Sequence, residues 1–236
     1  DMHSSAFEGQ RVVVVGGASR LGAALALASM DRGAEVVVAA RHRPTGRLGD
    51  QATYLEVDLS NPETIVAMGE GVGTFDHLVS TVSMHAYGPL LDLSDNDIQA
   101  SMDAKVLGPM RLARATAGKV RDGGSLTFFS GQAAWRPHRG GTVLATVNGA
   151  QAFLVAALAV ELAPVRVNAV APGVVDSGAH DRLGDEKEQV LADAARQCLV
   201  GRVGTVDDIV DATMMLMSNG YMTGTVLHVD GGAPLA

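Results

Sequence analysis

VVVVGGASRLG, residues Val12–Gly22, followed by AALALASMDRG through Gly33, is the stretch on which the reading of this chain turns. Four consecutive valines are β-branched and apolar at alternate positions on both sides, the pattern of a strand covered above and below. Two glycines and a short turn come next, then small and straight-chain residues that favour a helix from Leu21 to Arg32. Strand, glycine turn and helix in that order aim backbone N–H groups and a helix N-terminus at one spot, which suits a phosphate. A glycine turn by itself is also what any tight bend with φ > 0 needs. Its placement, straight after a strand and opening a helix, favours the phosphate reading.

Working outward, Glu35–Ala40 (EVVVAA) reads as a second buried strand and Thr53–Asp58 as a third. Between Pro44 and Gln51 there is little room for a crossover helix, so a stub or loop is expected. Asn61, Pro62 and Glu63 form a helix start, and Phe75–Thr81 a fourth strand. Ser94 with Asp97 opens a long helix expected to run towards Lys119. Ser125–Ser130, Val165–Val170 and Thr225–Val229 read as further strands. The long apolar helix Thr142–Leu162, a polar helical stretch Asp181–Gln197 and a helix capped by Thr205 lie between them. Strand and helix alternate throughout. The expected fold class is therefore α/β: one Rossmann-type, doubly wound parallel sheet of about seven strands, with helices on both faces and ligand at the strands' carboxyl ends.

Composition narrows the function classes. Of 236 residues, 47% are hydrophobic and 19% charged, enough apolar material for one large core. A net charge of −8 without basic blocks and only 4% aromatic residues speak against nucleic acid as a partner. The longest uninterrupted apolar run, Ala152–Val160, stops at Glu161 and falls short of the roughly 20 residues of a membrane span, so no membrane partner is expected. A lone cysteine, Cys198, fits a cytoplasmic protein. Residues 1–10 read as a polar N-terminal extension whose first residues resemble a cloning remnant. Residues 11–236 then form a single domain.

Several motifs in order carry a family resemblance: VVGGASRLG at Val14–Gly22, VDLS at Val57–Ser60, FDHLV at Phe75–Val79, LAVELAPVRVNAVAPG at Leu158–Gly173 and TGTVLHVDGG at Thr223–Gly232. Over essentially its whole length the chain resembles a short-chain dehydrogenase/reductase. The resemblance implies a nicotinamide cofactor held by Gly16, Ser19, Arg20, Leu21 and Gly22 of the turn, with Arg20 where the middle glycine usually lies. Arg41 ends the second strand where an acidic residue would accept the NAD ribose; its guanidinium suits a 2′-phosphate, so NADP(H) is the expected cofactor. Asp58 and Leu59 fall at the adenine contact. Ser80 opens the segment Ser80-Thr81-Val82-Ser83 that stands for the family's NNAG. Pro172, Gly173, Val174 and Val175 match the nicotinamide-facing segment, and Ser177 stands where a Thr often binds the carboxamide or pyrophosphate. Arg41 could equally be a solvated strand-end residue and Asp58 a turn residue.

The chemistry implied by the resemblance rests on Asn, Ser, Tyr and Lys. Aligned on Glu161-Leu162 and Val167-Asn168, the Tyr position is Leu144 and the Lys position Asn148. The Ser position falls at Gly131, beside Ser130, and Lys105 stands for the Asn. Leu144 cannot give a proton to a developing alkoxide, whereas Asn148 can still bind a ribose hydroxyl. Replacement catalytic groups are sought in Ser130, Lys105, Arg136, His138 and Asn148, with His85 and Tyr87 on a neighbouring loop; Arg136 and His138 read equally well as solvated loop residues, and Lys105 as a surface ion-pair partner. The substrate expected is a small ring-containing molecule, an imine or a conjugated carbonyl. Met84, Trp135 and Val175 are candidates for its pocket, and residues 176–200 for a lid. Two other functions stay open, a non-redox cyclase or isomerase and an NADP(H)-binding protein without catalysis. By family analogy the helices 95–119 and 142–162 pair between subunits of a homodimer or homotetramer.

Overall fold

The computed structural model describes residues 6–18, 20–84, 86–178, 181 and 184–236. Seven parallel strands form one sheet in the order β3-β2-β1-β4-β5-β6-β9. Here β1 is Arg11–Val15, β2 Glu35–Ala40, β3 Thr53–Glu56, β4 Phe75–Ser80, β5 Val120–Phe129, β6 Arg166–Pro172 and β9 Val226–Val229. A two-residue pair, β7 (Val175–Asp176) with β8 (Gly204–Thr205), sits apart.

The four valines of β1 show why this order is stable. Val12 and Val14 join a core beneath α1 (Arg20–Asp31) and α8 (Val206–Ser218), with Leu25, Ile209 and Leu216. Val13 and Val15 face the opposite core, with Ile65 of α3 (Pro62–Gly71), Leu112 of α5 (Gly108–Thr116) and Val155 of α6 (Thr142–Glu161). All four are fully buried. Period-two alternation thus feeds two layers at once, as a doubly wound sheet requires. Strand order reverses at β1/β4, which opens a crevice at the carboxyl ends.

The stub expected after Pro44 is a six-residue helix, α2 (Gly46–Gln51). Asn61 caps α3 by accepting from the Glu63 N–H, and Thr205 with Asp208 forms a reciprocal capping box on α8. The polar stretch after Asp181 is helical as α7 (Glu186–Arg196).

Three expectations need correction. The domain starts before residue 11: Phe7 is buried, its ring edge-on to His77 at 5.8 Å, and Gln10 hydrogen-bonds that histidine. Residues 1–5 lie outside the described residues. Secondly, α6 is 20 residues long with a mean hydropathy of 1.9, so by length and composition it does meet the test for a span. One face of it packs on the sheet, with Val147, Leu154 and Val155 buried, while Phe153 and Val160 on the other face are exposed, so the helix is not buried all round.

Thirdly, the helix from Ser94 runs to Lys119 but is not α-helical throughout. It comprises α4 (Asp95–Met102), a π-helical turn at Asp103–Leu107, and α5. Pro109 explains the break. It has no N–H to offer the carbonyl four residues earlier, which belongs to Lys105. The Gly108 N–H reaches back to Asp103 O, and the Lys105 carbonyl is taken up by the Gln151 side-chain amide from α6. One proline thereby widens the helix by a residue and ties it to a neighbour.

Candidate functional site

The carboxyl ends of β1, β2, β4, β5 and β6 open into a cleft of about 830 Å³. At one end lies the glycine turn. Gly16 has φ +84°, and a side chain there would come within 2.8 Å of Thr81 Oγ1. A side chain at Gly22 would meet the Gly16 carbonyl at 2.2 Å, so α1 starts hard against the turn. Arg20, the first residue of α1, has φ +52°, uncommon for a residue with a side chain, and lines the cleft with Leu21 and Gly22. Ser19 lies outside the described residues. A turn closed this tightly over a helix start is the cradle a pyrophosphate requires.

Beyond β2, Arg41 lines the cleft together with Arg43, whose guanidinium lies 5.2 Å from the centre of the Tyr54 ring. Asp58 and Leu59 follow β3 and line it too. The Ser60 hydroxyl, donating at 2.6 Å, holds the Asp58 carboxyl below its ordinary range against the opposing effect of burial; the Ser60 N–H and the charge of Arg41 act in the same direction. Pro172, Gly173, Val175 and Ser177 form the far wall. Gly173 is required there, because a side chain would approach the Asp230 backbone at 2.8 Å. Ser80 is buried at the end of β4 and does not line the cleft; Thr81, Val82, Ser83 and Met84 do.

At the β5 end, Ser130 and Lys105 line the cleft. Lys105 is 3% exposed, and its Nζ donates to the main-chain oxygens of Phe129 at 2.5 Å and Ser130 at 3.5 Å. Burial alone pushes its amine down to about 8. Ser130 Oγ donates to the Asn148 carbonyl at 2.8 Å. Asn148 is buried behind it, its Oδ1 without a hydrogen-bond partner, and its amide fills the space a side chain at Gly131 would need. Of the five residues expected to do chemistry, Lys105, Ser130 and Asn148 are thus brought together.

The other two are placed elsewhere. Arg136 does not line the cleft; its Nη1 donates to the carbonyls of Ala233 at 2.5 Å and Gln197 at 3.4 Å, tying the β5–α6 loop to the C-terminal turn and the end of α7. His138 is exposed against the Tyr87 ring, 5.6 Å between centres. Trp135 packs on His228 at 4.3 Å and does not line this cleft. His85 lies outside the described residues. None of Tyr54, Tyr87 and Tyr221 lines the cleft, and α6 contains neither Tyr nor Lys. Lys187 of α7 is paired with Asp176 and Asp181, so the charged stretch 185–188 is a fastening as well as a solvated face. Arg43 was not anticipated as a site residue, although its signal, a second arginine three positions past the strand end, is present in the sequence.

Comparison with known proteins agrees with this geometry. A family model described as enoyl-(acyl carrier protein) reductase matches residues 16–234. The chain is 33% identical to the short-chain reductase protein NovJ of Streptomyces niveus, over 95% of this chain and 94% of that one. It is 30% identical to the short-chain dehydrogenase/reductase ucsE of Acremonium sp, over 97% of each. A crystal structure of a small-chain dehydrogenase in complex with NADPH superposes with a TM-score of 0.84 at 30% identity, over 96% of this chain and 99% of that chain. The chain belongs to the short-chain dehydrogenase/reductase family, a family of oxidoreductases acting on small molecules.

Proposed function

We propose that this protein is an NADP(H)-dependent reductase of a small organic substrate, ring-containing and bearing an imine or a conjugated carbonyl, that works without a tyrosine acid. The observation carrying this reading is the single cleft that runs from Arg20, Arg41 and Arg43, past the glycine turn, to Lys105 and Ser130. Gly16, Leu21 and Gly22 would hold the pyrophosphate, the arginines a 2′-phosphate, Asp58 and Leu59 the adenosine, and Pro172, Gly173, Val175 and Ser177 the nicotinamide side. The reduced nicotinamide supplies two electrons and a hydrogen as hydride. The chain's residues orient the electrophile beside Ser130, exclude water with the 176–200 lid and handle the proton.

The family's catalytic tyrosine and lysine are read as replaced by Leu144 and Asn148. A cationic iminium needs no proton, which makes it the substrate class best matched to that loss. The same replacement also favours a second reading, a non-redox cyclase or isomerase, or an NADP(H)-binding protein. Titration with NADPH followed by nicotinamide fluorescence, with NADH as control, tests the cofactor. Oxidation of NADPH on addition of isatin or an N-methylated dihydroisoquinolinium tests redox chemistry. Tight, selective NADPH binding with turnover supports the reductase; binding without turnover of either probe leaves the second reading.

Assembly as a homodimer or homotetramer is supported by the outer face of α6, where Phe153 and Val160 are each 82% exposed. Cys198, a free thiol, supports a reducing cytoplasmic setting.

A further inference from the structure

Lys105 is a buried amine that no packing argument explains. Removing an ammonium from water is costly unless a counter-charge and hydrogen bonds replace the solvent. Among the described residues no carboxylate pairs with it: Asp103, two residues away, is held by Arg111 at 3.0 Å and by Gln99. Asp95 and Asp97 are exposed in the first turn of α4, and α6, whose one ionisable residue is Glu161 at its last position, meets Lys105 through the Gln151 amide on its carbonyl. Arg41, Arg43 and Asp58 of the cleft lie at the β2 and β3 ends, β2 being three strand positions from β5, about 14 Å at the usual spacing, and Arg20 follows β1, two positions or about 10 Å away. The placement is nevertheless well built. Pro109 produces the π-helical turn, Gln151 fixes the Lys105 carbonyl, and the end of β5 presents two main-chain oxygens to Nζ.

An ammonium has three N–H bonds. Two are occupied by Phe129 and Ser130, and the third has no partner among the described residues, on a side chain that lines the cleft. We propose that the Lys105 ammonium is the proton donor for neutral substrates of this reductase. The inference rests on the reductase reading above. As the carbonyl carbon gains hydride, the C=O π pair moves onto oxygen. That oxygen forms an O–H bond with the third Nζ proton, and the N–H bonding pair stays on nitrogen. The neutral amine left behind keeps its two bonds to Phe129 and Ser130, points its lone pair where the proton was, and is reprotonated from water. Burial, which pushes this amine down to about 8, makes it a far better acid than a surface lysine while leaving it charged at neutral pH.

The chain has three lysines, Lys105, Lys119 and Lys187, so 13Cε-lysine NMR can be assigned by substitution. The expected result is one resonance titrating near 8 that is absent from Lys105→Met; titration of all three above about 10 overturns the proposal. Turnover is then compared with isatin, which needs a proton, and the dihydroisoquinolinium cation, which needs none. Lys105→Met is expected to lose about 100-fold or more in kcat on isatin while staying within about threefold of wild type on the cation. Wild-type kcat on isatin falls as pH rises through 8 and stays level on the cation. Lys105→Arg keeps a cation but cannot release the proton, and follows Lys105→Met on isatin. Equal loss on both probes makes Lys105 a structural residue, and unchanged isatin turnover removes its role; either overturns the acid role alone. A wild-type protein that binds NADPH and reduces neither probe overturns the reductase reading and the acid role with it.

Discussion

Lowering the pH from 7 to 4.5 is expected to destabilise this protein through one residue, His77. Its ring is 4% exposed in the middle of β4, with Nδ1 at 2.9 Å from Ser125 Oγ, Nε2 at 3.0 Å from Gln10 Oε1, and Phe7 packed edge-on. A neutral imidazole satisfies both contacts, donating from Nε2 to Gln10 and accepting at Nδ1 from Ser125. Burial first, and the Arg166 charge second, push the group from 6.5 down to about 4, against the weaker pull of Asp76. Between those two values the unfolded chain holds more protons than the folded one, so stability is full above pH 6.5 and falls as the pH drops towards 4. At roughly 1.4 kcal/mol per pH unit the window amounts to about 3 kcal/mol, a large share of the 5–15 kcal/mol typical of a domain. Asp58, Asp103 and Asp208 are all held below the ordinary carboxylate range, so their contributions are lost only at still lower pH. Urea denaturation at half-unit pH steps measures the effect. The wild type should lose most of the 3 kcal/mol by pH 4.5, and His77→Gln, less stable at pH 7 for lack of the fitted ring, should show a much flatter slope. A wild-type profile level down to pH 4.5, or a variant with the same slope, would refute the reasoning.

Three further outcomes follow from the site and the surface. Arg41→Ala removes one charge-assisted contact to a 2′-phosphate, about 1.5–3 kcal/mol, so NADPH binding by fluorescence titration weakens about 10- to 100-fold while NADH binding stays unchanged. Gly22→Ala puts a methyl group 2.2 Å from the Gly16 carbonyl; about 1–3 kcal/mol of stability is lost, seen as a lower Tm, and NADPH binding falls with the distorted turn. Phe153→Glu charges the exposed face of α6 and shifts light scattering towards a smaller species; a wild type that is already monomeric removes that assembly.

How far each part of the molecule could be read in advance follows the distance over which its cause acts. The β1 valines, the glycine turn and the Asn61 and Thr205 caps are written in neighbouring residues, and the structure has all of them at the expected positions. The N-terminal boundary escapes a local reading because the partners of Phe7 and Gln10 lie further along the chain: the Arg32 carbonyl and the Glu35 N–H on the backbone, and His77, about 70 residues on, against both side chains. Arg136 illustrates the same limit: a polar loop in sequence, it is fixed by carbonyls of Gln197 and Ala233, which no local pattern reveals.

Lys105 lies between these cases and shows how a local signal acquires meaning from a distant one. Pro109 stands within a run expected to be helical throughout, and a proline there forbids the hydrogen bond to the Lys105 carbonyl. Sequence alone leaves two outcomes open, a kink that throws the lysine into solvent or a widened turn that keeps it inside. Gln151 supports the second, since its amide replaces the missing proline N–H from a helix 46 residues away. The lysine is then carried beneath the end of β5 rather than outward to a surface acid, which is where an ion-pair reading would have put it. A fold that needed only a filled space there would be served by Met or Leu at lower desolvation cost. A charged amine in that place, fastened by two carbonyls and facing the cleft, is better explained by what happens in the cleft than by what holds the fold together.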